Sequence, residues 1–324
     1  MNILITGAGG FIGSHLVESQ LAQGHQVRAV DLRLERLAHT VNHANLELVA
    51  GDLTADSLLP SLVAGVDVVY HLASAHLDVS HSNDHYHLVN VVATKNLLAA
   101  AHAAGVQRFI HCSSNGVLGE ISQIPADENT PCRPTNIYEQ TKLLGEQAAL
   151  AFHQETGLPL VVARPAWVYG PRCPRTGRLL RTVKKGRFIM FGNGRTLRHP
   201  IHISDAVRGL ELCATQGIPG EVYFLAGERA VTLNELVQTI ADTQNVRRPW
   251  VHLPLLLGVA AAYGVQGLFG LLRRRPPISR RTLDFYMKDN AYDIGKARRD
   301  LGFEPQIALR DGLQRTLMNV KRET

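Results

Sequence analysis

The most constraining stretch of the chain is its beginning. Asn2-Ile3-Leu4-Ile5-Thr6 reads as a short buried strand and runs directly into Gly7-Ala8-Gly9-Gly10-Phe11-Ile12-Gly13, after which an apolar stripe predicts a helix over 11–23. A glycine turn between a strand and a helix brings unshielded backbone N–H groups and the positive end of the helix dipole to one point, which is where a pyrophosphate can be received. The strict G-x-G-x-x-G spacing from Gly7 fails at Ile12, whereas G-x-x-G-x-x-G fits through Gly7, Gly10 and Gly13. Such a triad also describes an ordinary tight turn. Asp31 narrows the choice, because it closes the second β-branched run, 18 residues after Gly13. A carboxylate there can accept both hydroxyls of an adenosine ribose and would repel a 2′-phosphate. The expected cofactor is therefore NAD; NADP is less favoured, although Arg33 and Arg36 lie close enough to accommodate the phosphate.

The first half continues to alternate short apolar runs with helical stretches, the pattern of a parallel sheet covered on both faces. Strands are expected at 2–6, 26–31, 46–50, 67–71, 108–112, 158–163 and 221–225, and long helices at 11–23, 88–104 and 138–156, with Gly24 and Gly105 placed to end two of them. The fold class predicted is α/β, a Rossmann doubly wound parallel sheet of about seven strands. A smaller, discontinuous, mostly helical substrate lobe accompanies it. The division expected is 1–169 with 199–230 for the dinucleotide-binding domain, and 170–198 with 231–324 for the lobe. At 324 residues, with 45% hydrophobic and 19% charged residues, the chain is a packed globular protein, not a disordered one. Its four cysteines form no C-x-x-C pair, and Met1-Asn2 leads into the first strand with no basic n-region, so a reducing, cytoplasmic setting is expected.

A second constellation is Tyr138-Glu139-Gln140-Thr141-Lys142, which on a helix stacks Tyr138 and Lys142 one turn apart. A free phenol titrates near pH 10, and each unit of lowering corresponds to about 1.4 kcal/mol in favour of the phenolate. A neighbouring ammonium and an oxidised nicotinamide, both positive in a dry cleft, could supply several units, making Tyr138 a general base for a substrate hydroxyl. Ser113-Ser114, just beyond the fifth strand, would lie at the same carboxyl end of the sheet as the glycine turn.

With these residues in place, the chain resembles the extended short-chain dehydrogenase/reductases, the NAD-dependent epimerase/dehydratase family, over nearly its whole length. The motifs are Thr6 to Gly13, Gly51-Asp52-Leu53, His71-Leu72-Ala73-Ser74, Cys112-Ser113-Ser114 with Val117-Leu118-Gly119, Tyr138 to Lys142, Arg164-Pro165 with Val168-Tyr169-Gly170-Pro171, and Leu301 to Pro305. The resemblance implies that Ser114 steadies the substrate oxygen, Tyr138 is the acid/base, and Lys142 lowers its pKa and holds the nicotinamide ribose; Ser113 could exchange roles with Ser114. It also implies a cofactor cleft formed by Gly7, Gly10, Phe11, Ile12, Gly13, Asp31, Asp52, Leu53, Leu72, Ala73, Ser74, Tyr138, Lys142 and Pro165, and a homodimer built on the helices at 88–104 and 138–156.

The substrate signals diverge. Between Glu155 and Asp205 there is no acidic residue but ten basic ones: Arg164, Arg172, Arg175, Arg178, Arg181, Lys184, Lys185, Arg187, Arg195 and Arg198. Guanidinium groups suit a diphosphate, and Arg198 stands where sugar-nucleotide members of the family hold one. Ser114, Asn115, Trp167 and Arg198 are the expected substrate contacts. Yet Trp167 replaces the usual Asn before Val168-Tyr169-Gly170-Pro171. Asn115-Gly116 stand where 4,6-dehydratases carry Asp-Glu, which disfavours that reaction. The segment 253–272 is uncharged, is followed by Arg273-Arg274-Arg275, and resembles the 3β-hydroxysteroid dehydrogenase and dihydroflavonol reductase branches. It reads as a buried helix pair, as a membrane-surface contact or, being long enough, as a spanning helix. The leading expectation is hydride transfer at a secondary alcohol carbon of a nucleotide sugar, as in an epimerase. The alternative is a dehydrogenase of an apolar alcohol or ketone, and a scaffold with a silent site is the third. No metal site is expected from His76, His81, His85 and His87, whose spacing guarantees no convergence. No nucleic-acid partner is expected, because no aromatic platform accompanies the basic stretch.

Overall fold

The computed structural model describes residues 1–76, 82–260 and 280–320. In chain order its strands are β1 Asn2–Thr6, β2 Gln26–Asp31, β3 Leu46–Ala50, β4 Val68–His71, β5 Arg108–Cys112, β6 Leu160–Pro165, β7 Trp167–Tyr169, β8 Met190–Phe191, β9 Leu197–Arg198, β10 Pro200–His202, β11 Val222–Leu225, β12 Val231–Thr232 and β13 His252–Leu253. The helices are α1 Phe11–Ala22, α2 Leu59–Val63, α3 Asn83–His87, α4 Ala93–Ala103, α5 Ile137–Thr156, α6 Pro174–Lys184, α7 Ile203–Thr215 and α8 Leu233–Thr243, followed by Arg280–Met287, Gly295–Leu301 and Leu309–Val320.

Seven strands form one parallel sheet in the order β11-β6-β5-β4-β1-β2-β3. Successive side chains of a strand point to opposite faces, and β1 shows the result: Ile3 and Ile5 enter one apolar cluster with Leu16 and Val17 of α1, while Leu4 enters the other with Val69, Leu97 and Phe109. Both faces are thus covered, as the sequence predicts. Strand order reverses between β1 and β4, so the crevice outside their carboxyl ends is where ligands of such sheets bind. Gly24 and Gly105 take positive φ, +79° and +71°, just past α1 and α4, matching the predicted helix ends.

Two features differ from the sequence reading. The helix expected at 88–104 contains a wider π turn over Leu88–Val92 before α4. There α5 approaches so closely that a Cβ on Gly145 would collide with the Asn90 carbonyl, and the widened turn aims the Asn90 side chain toward the sheet's carboxyl end. The lobe has its own core, where Leu180, Val183, Phe188 and Met190 meet Leu233, Leu236, Val237, Ile240 and Leu313. The C-terminal part does not lie wholly in it: Tyr292, Ile294, Ala297, Leu301 and Phe303 return to the core of the large sheet, because aromatic Phe224 of β11 stacks on Tyr292 with ring centroids 4.9 Å apart.

Candidate active site

The glycine turn is shaped by backbone contact. Gly7 has φ +69°, and a Cβ there would lie 2.6 Å from the Ala73 nitrogen, so the loops after β1 and β4 touch across the switch point. A Cβ on Gly13 would overlap the Gly7 carbonyl. Gly9, which the triad reading leaves out, is equally constrained, facing the Arg33 carbonyl. Gly10 caps α1 without any side-chain hydrogen bond, leaving the first N–H groups of the helix to an external acceptor. The residues therefore fit a dinucleotide: a cradle lined by backbone that any Cβ would fill. Gly13→Ala is expected to abolish dinucleotide binding and lower thermal stability, both measurable by melting with and without NAD; a variant that still gains stability from NAD would contradict the cradle.

Asp31 ends β2 beside this turn. Its Oδ2 accepts the Gly9 N–H at 3.0 Å and its Oδ1 the Arg33 N–H at 3.1 Å, so the carboxylate is fixed in orientation. Arg36 reaches over to donate to the Gly9 carbonyl at 3.0 Å. Asp52 accepts the Thr54 N–H at 2.9 Å, and Leu53 is buried. From β4, Leu72, Ala73 and Ser74 are half-buried, and Thr6 Oγ1 links His71 Nδ1, 2.8 Å away, with the Ala73 N–H, at 3.2 Å. Phe11 and Ile12 open α1, and Pro165 ends β6 at the same edge of the sheet.

Helix α5 is fixed at its start by Asn136, whose side chain accepts the Glu139 N–H at 3.1 Å, while Glu139 Oε2 accepts the Thr135 N–H at 2.7 Å. Tyr138 therefore enters in the first turn, half-buried, with the His76 ring edge-on at 5.0 Å. One turn on, Lys142 is 3% exposed and donates to the Cys112 carbonyl at 2.7 Å. Burial lowers its pKa from the usual lysine range, against the pull of Cys112 and Glu146. Behind it stand two buried histidines. Burial, and then Lys142, push His71 down to about 3 and His111 well below its usual value, so both are neutral.

The two serines separate. Ser113 Oγ donates to Glu146 Oε2 at 2.5 Å in a buried cluster that Arg164 completes, its Nη2 2.5 Å from Glu146 Oε1. Ser114 is half-buried and accepts the Gly116 N–H at 3.1 Å. Asn90 joins the parts: its Oδ1 accepts Ser74 Oγ and the Ala75 N–H, each at 2.9 Å, and its Nδ2 donates to Thr141 Oγ1 at 2.9 Å. Asn90 thereby satisfies buried backbone at Ala75. The Glu146–Arg164 pair escapes the sequence reading, although Tyr138, Lys142 and Glu146 fall on one helix face at spacings of four.

Of the expected substrate contacts, Asn115 donates to the Tyr292 hydroxyl at 2.5 Å, and half-buried Trp167 meets Phe285 edge-on at 6.1 Å. Arg198 is bound by backbone. It is 3% exposed, its Nη1 donates to the carbonyls of Leu197 at 2.6 Å and Lys288 at 2.5 Å, and its Nη2 donates to those of Asp284 and Phe285. Burial pulls it down to about 10. Its donors hold the end of the helix Arg280–Met287. Among the described residues no group of three or more His, Cys, Asp or Glu could hold a metal; His81 lies outside them.

A doubly wound sheet with a glycine cradle at its switch point and a Ser/Tyr/Lys set one strand away defines a dinucleotide-binding protein of the short-chain dehydrogenase class. The chain belongs to the NAD dependent epimerase/dehydratase family of enzymes, whose sequence profile matches residues 3–226. It is 30% identical to the 4-hydroxy-2-methyl-3-oxo-4-farnesyl-3,4-dihydroquinoline-1-oxide ketoreductase of Stigmatella aurantiaca, over 97% of this chain and 95% of that one. It is 31% identical to a dTDP-glucose 4,6-dehydratase of Streptomyces niveus, over 98% and 92%. Among solved structures it resembles the UDP-glucuronic acid 4-epimerase from Bacillus cereus in complex with NAD, with TM-score 0.81, 25% identity, and 100% and 99% of the two chains covered.

Proposed function

We propose that this protein is an NAD-dependent oxidoreductase that interconverts an apolar secondary alcohol and its ketone. The observation that supports the substrate class is the burial of Arg198, the expected diphosphate anchor, with its donors engaged by backbone carbonyls. The full-length likeness to a ketoreductase of a farnesylated quinoline supports it. Asp31, fixed by two backbone N–H groups, supports NAD over NADP, since a 2′-phosphate would meet its charge.

The dinucleotide, held by Gly7, Gly10, Phe11, Ile12, Gly13, Asp31 and the loop 72–74, supplies the hydride acceptor or donor. This chain's residues move the proton. In oxidation Tyr138 would take the proton of the substrate hydroxyl, and in reduction it would return that proton to the carbonyl oxygen. Lys142, anchored on the Cys112 carbonyl, keeps a positive charge one turn from that phenol, which favours the phenolate. Ser114 holds the substrate oxygen, the role open to it because Ser113 is engaged by Glu146. Neither Asn115 nor Gly116 is a carboxylic acid, so this reading contains no water elimination.

A second reading, a nucleotide-sugar epimerase, is favoured by the likeness to the UDP-glucuronic acid 4-epimerase structure over the whole chain. Equilibrium binding of UDP and turnover with apolar secondary alcohols separate the two. The expected result is NAD-linked turnover of the alcohols, no saturable UDP binding, and an Arg198→Ala variant that melts at lower temperature. Saturable UDP binding that Arg198→Ala weakens would transfer the assignment to the epimerase.

A further inference from the structure

Helix α6 divides into two faces. Thr176, Leu180 and Val183 are buried against the lobe, while Arg175, Arg178, Arg181, Lys184 and Lys185 are exposed, and exposed Arg187 follows. None of these six side chains enters an ion pair among the described residues, and no acidic residue occurs between Glu155 and Asp205 to balance them. At the end of α6 the charge gives way to exposed apolar groups. β8 lies parallel to β13, with Met190 opposite His252 and the Met190 N–H donating to the Val251 carbonyl at 3.0 Å. This pairing holds Ile189, 39% exposed, next to the strand that Trp250, 71% exposed, leads into. Residues 255–260 are helical and seat Gly258 against the Phe191 ring, leaving Leu256 80% and Leu257 54% exposed.

We propose that this edge of the lobe, the outer face of α6 with Ile189, Trp250, Leu256 and Leu257, is a docking surface for an anionic phospholipid bilayer. Basic side chains beside exposed apolar and indole groups suit a headgroup layer above acyl chains. The uniform positive sign disfavours a second copy docked face to face, because like charges would meet. A nucleic acid would neutralise the cations but leave both leucines against water and phosphate. The surface does not depend on which alcohol the active site takes.

The test uses the full chain with vesicles of phosphatidylcholine alone and with about a third phosphatidylglycerol. The expected result is co-sedimentation with the anionic vesicles only, reversed by high salt, with a blue shift of tryptophan emission that Trp250→Phe removes. The triple variant Lys184→Glu/Lys185→Glu/Arg187→Glu should weaken partitioning on the order of 10²-fold or more, and Leu256→Ser/Leu257→Ser should weaken it at unchanged salt dependence. A second charge variant, Arg175→Ala/Arg178→Ala/Arg181→Ala, carries the test if the first does not fold. The proposal is overturned by equal binding to neutral vesicles, by charge variants that partition like wild type, or by absence of binding. Binding of an oligonucleotide on the same residues without vesicle binding would assign the face to nucleic acid instead.

Discussion

Tyr138→Phe should lower turnover about 10²–10⁴-fold, the usual consequence of losing a positioned acid/base, while the affinity for NAD changes little. The ring remains, edge-on to His76, and only the hydroxyl to which the proposed mechanism gives the proton exchange is lost. With the glycine cradle and Asp31 proposed to hold the cofactor, the loss should fall on kcat rather than on dinucleotide binding. The pH profile gives an independent reading. Alcohol oxidation needs the phenolate, so its rate rises with pH to a plateau; ketone reduction needs the phenol and falls at high pH. The phenyl ring of the variant has no proton to exchange, so its residual activity should be flat across that limb. Stopped assays in both directions decide it: near-wild-type turnover, or an unchanged pH limb in the variant, would remove Tyr138 from the reaction.

The parts of this architecture that are legible in the sequence are those set by neighbours along the chain. All seven strands of the large sheet fall within two residues of their expected limits, because β-branched runs bounded by turn residues report local burial directly. Tyr138 and Lys142 lie on one helix face for the same reason. What is not legible depends on contacts between distant segments. Arg198 appears in the sequence as the best-placed member of a basic stretch, and only the return of residues 284–288 gives its guanidinium three further carbonyls to bind beside that of Leu197. The π turn at Leu88–Val92 packs against Gly145, 55 residues after Asn90. The return of residues 291–303 to the sheet likewise follows from Phe224 stacking on Tyr292. Helical periodicity alone groups that stretch with the lobe.

The largest expected effect on stability comes from a residue outside the proposed proton path. Glu146 is 2% exposed and accepts three hydrogen bonds, from Ser113 at 2.5 Å and from Arg164 Nε and Nη2 at 3.1 and 2.5 Å. Burial disfavours the Arg164 cation, yet the hydrogen bonds and charge of Glu146 outweigh it and raise its pKa above the usual value. Arg164 Nη1 already has no hydrogen-bond partner, so Glu146→Ala would leave the buried guanidinium only the Cys132 sulfur at 3.5 Å and the Phe224 ring at 5.5 Å. Breaking one half of such a pair costs about 3–5 kcal/mol, whereas replacing both halves with apolar groups of similar volume is often neutral or stabilising. Glu146→Ala should therefore melt many degrees below wild type, and Glu146→Leu/Arg164→Met should recover most of the loss. Ser113→Ala, which removes one hydrogen bond to a charged acceptor, should cost about 1.5–3 kcal/mol. Chemical denaturation of the four proteins measures these differences. If the double variant is as unstable as Glu146→Ala, the destabilisation comes from lost packing around α5 and β6, and the unpaired charge is not its cause.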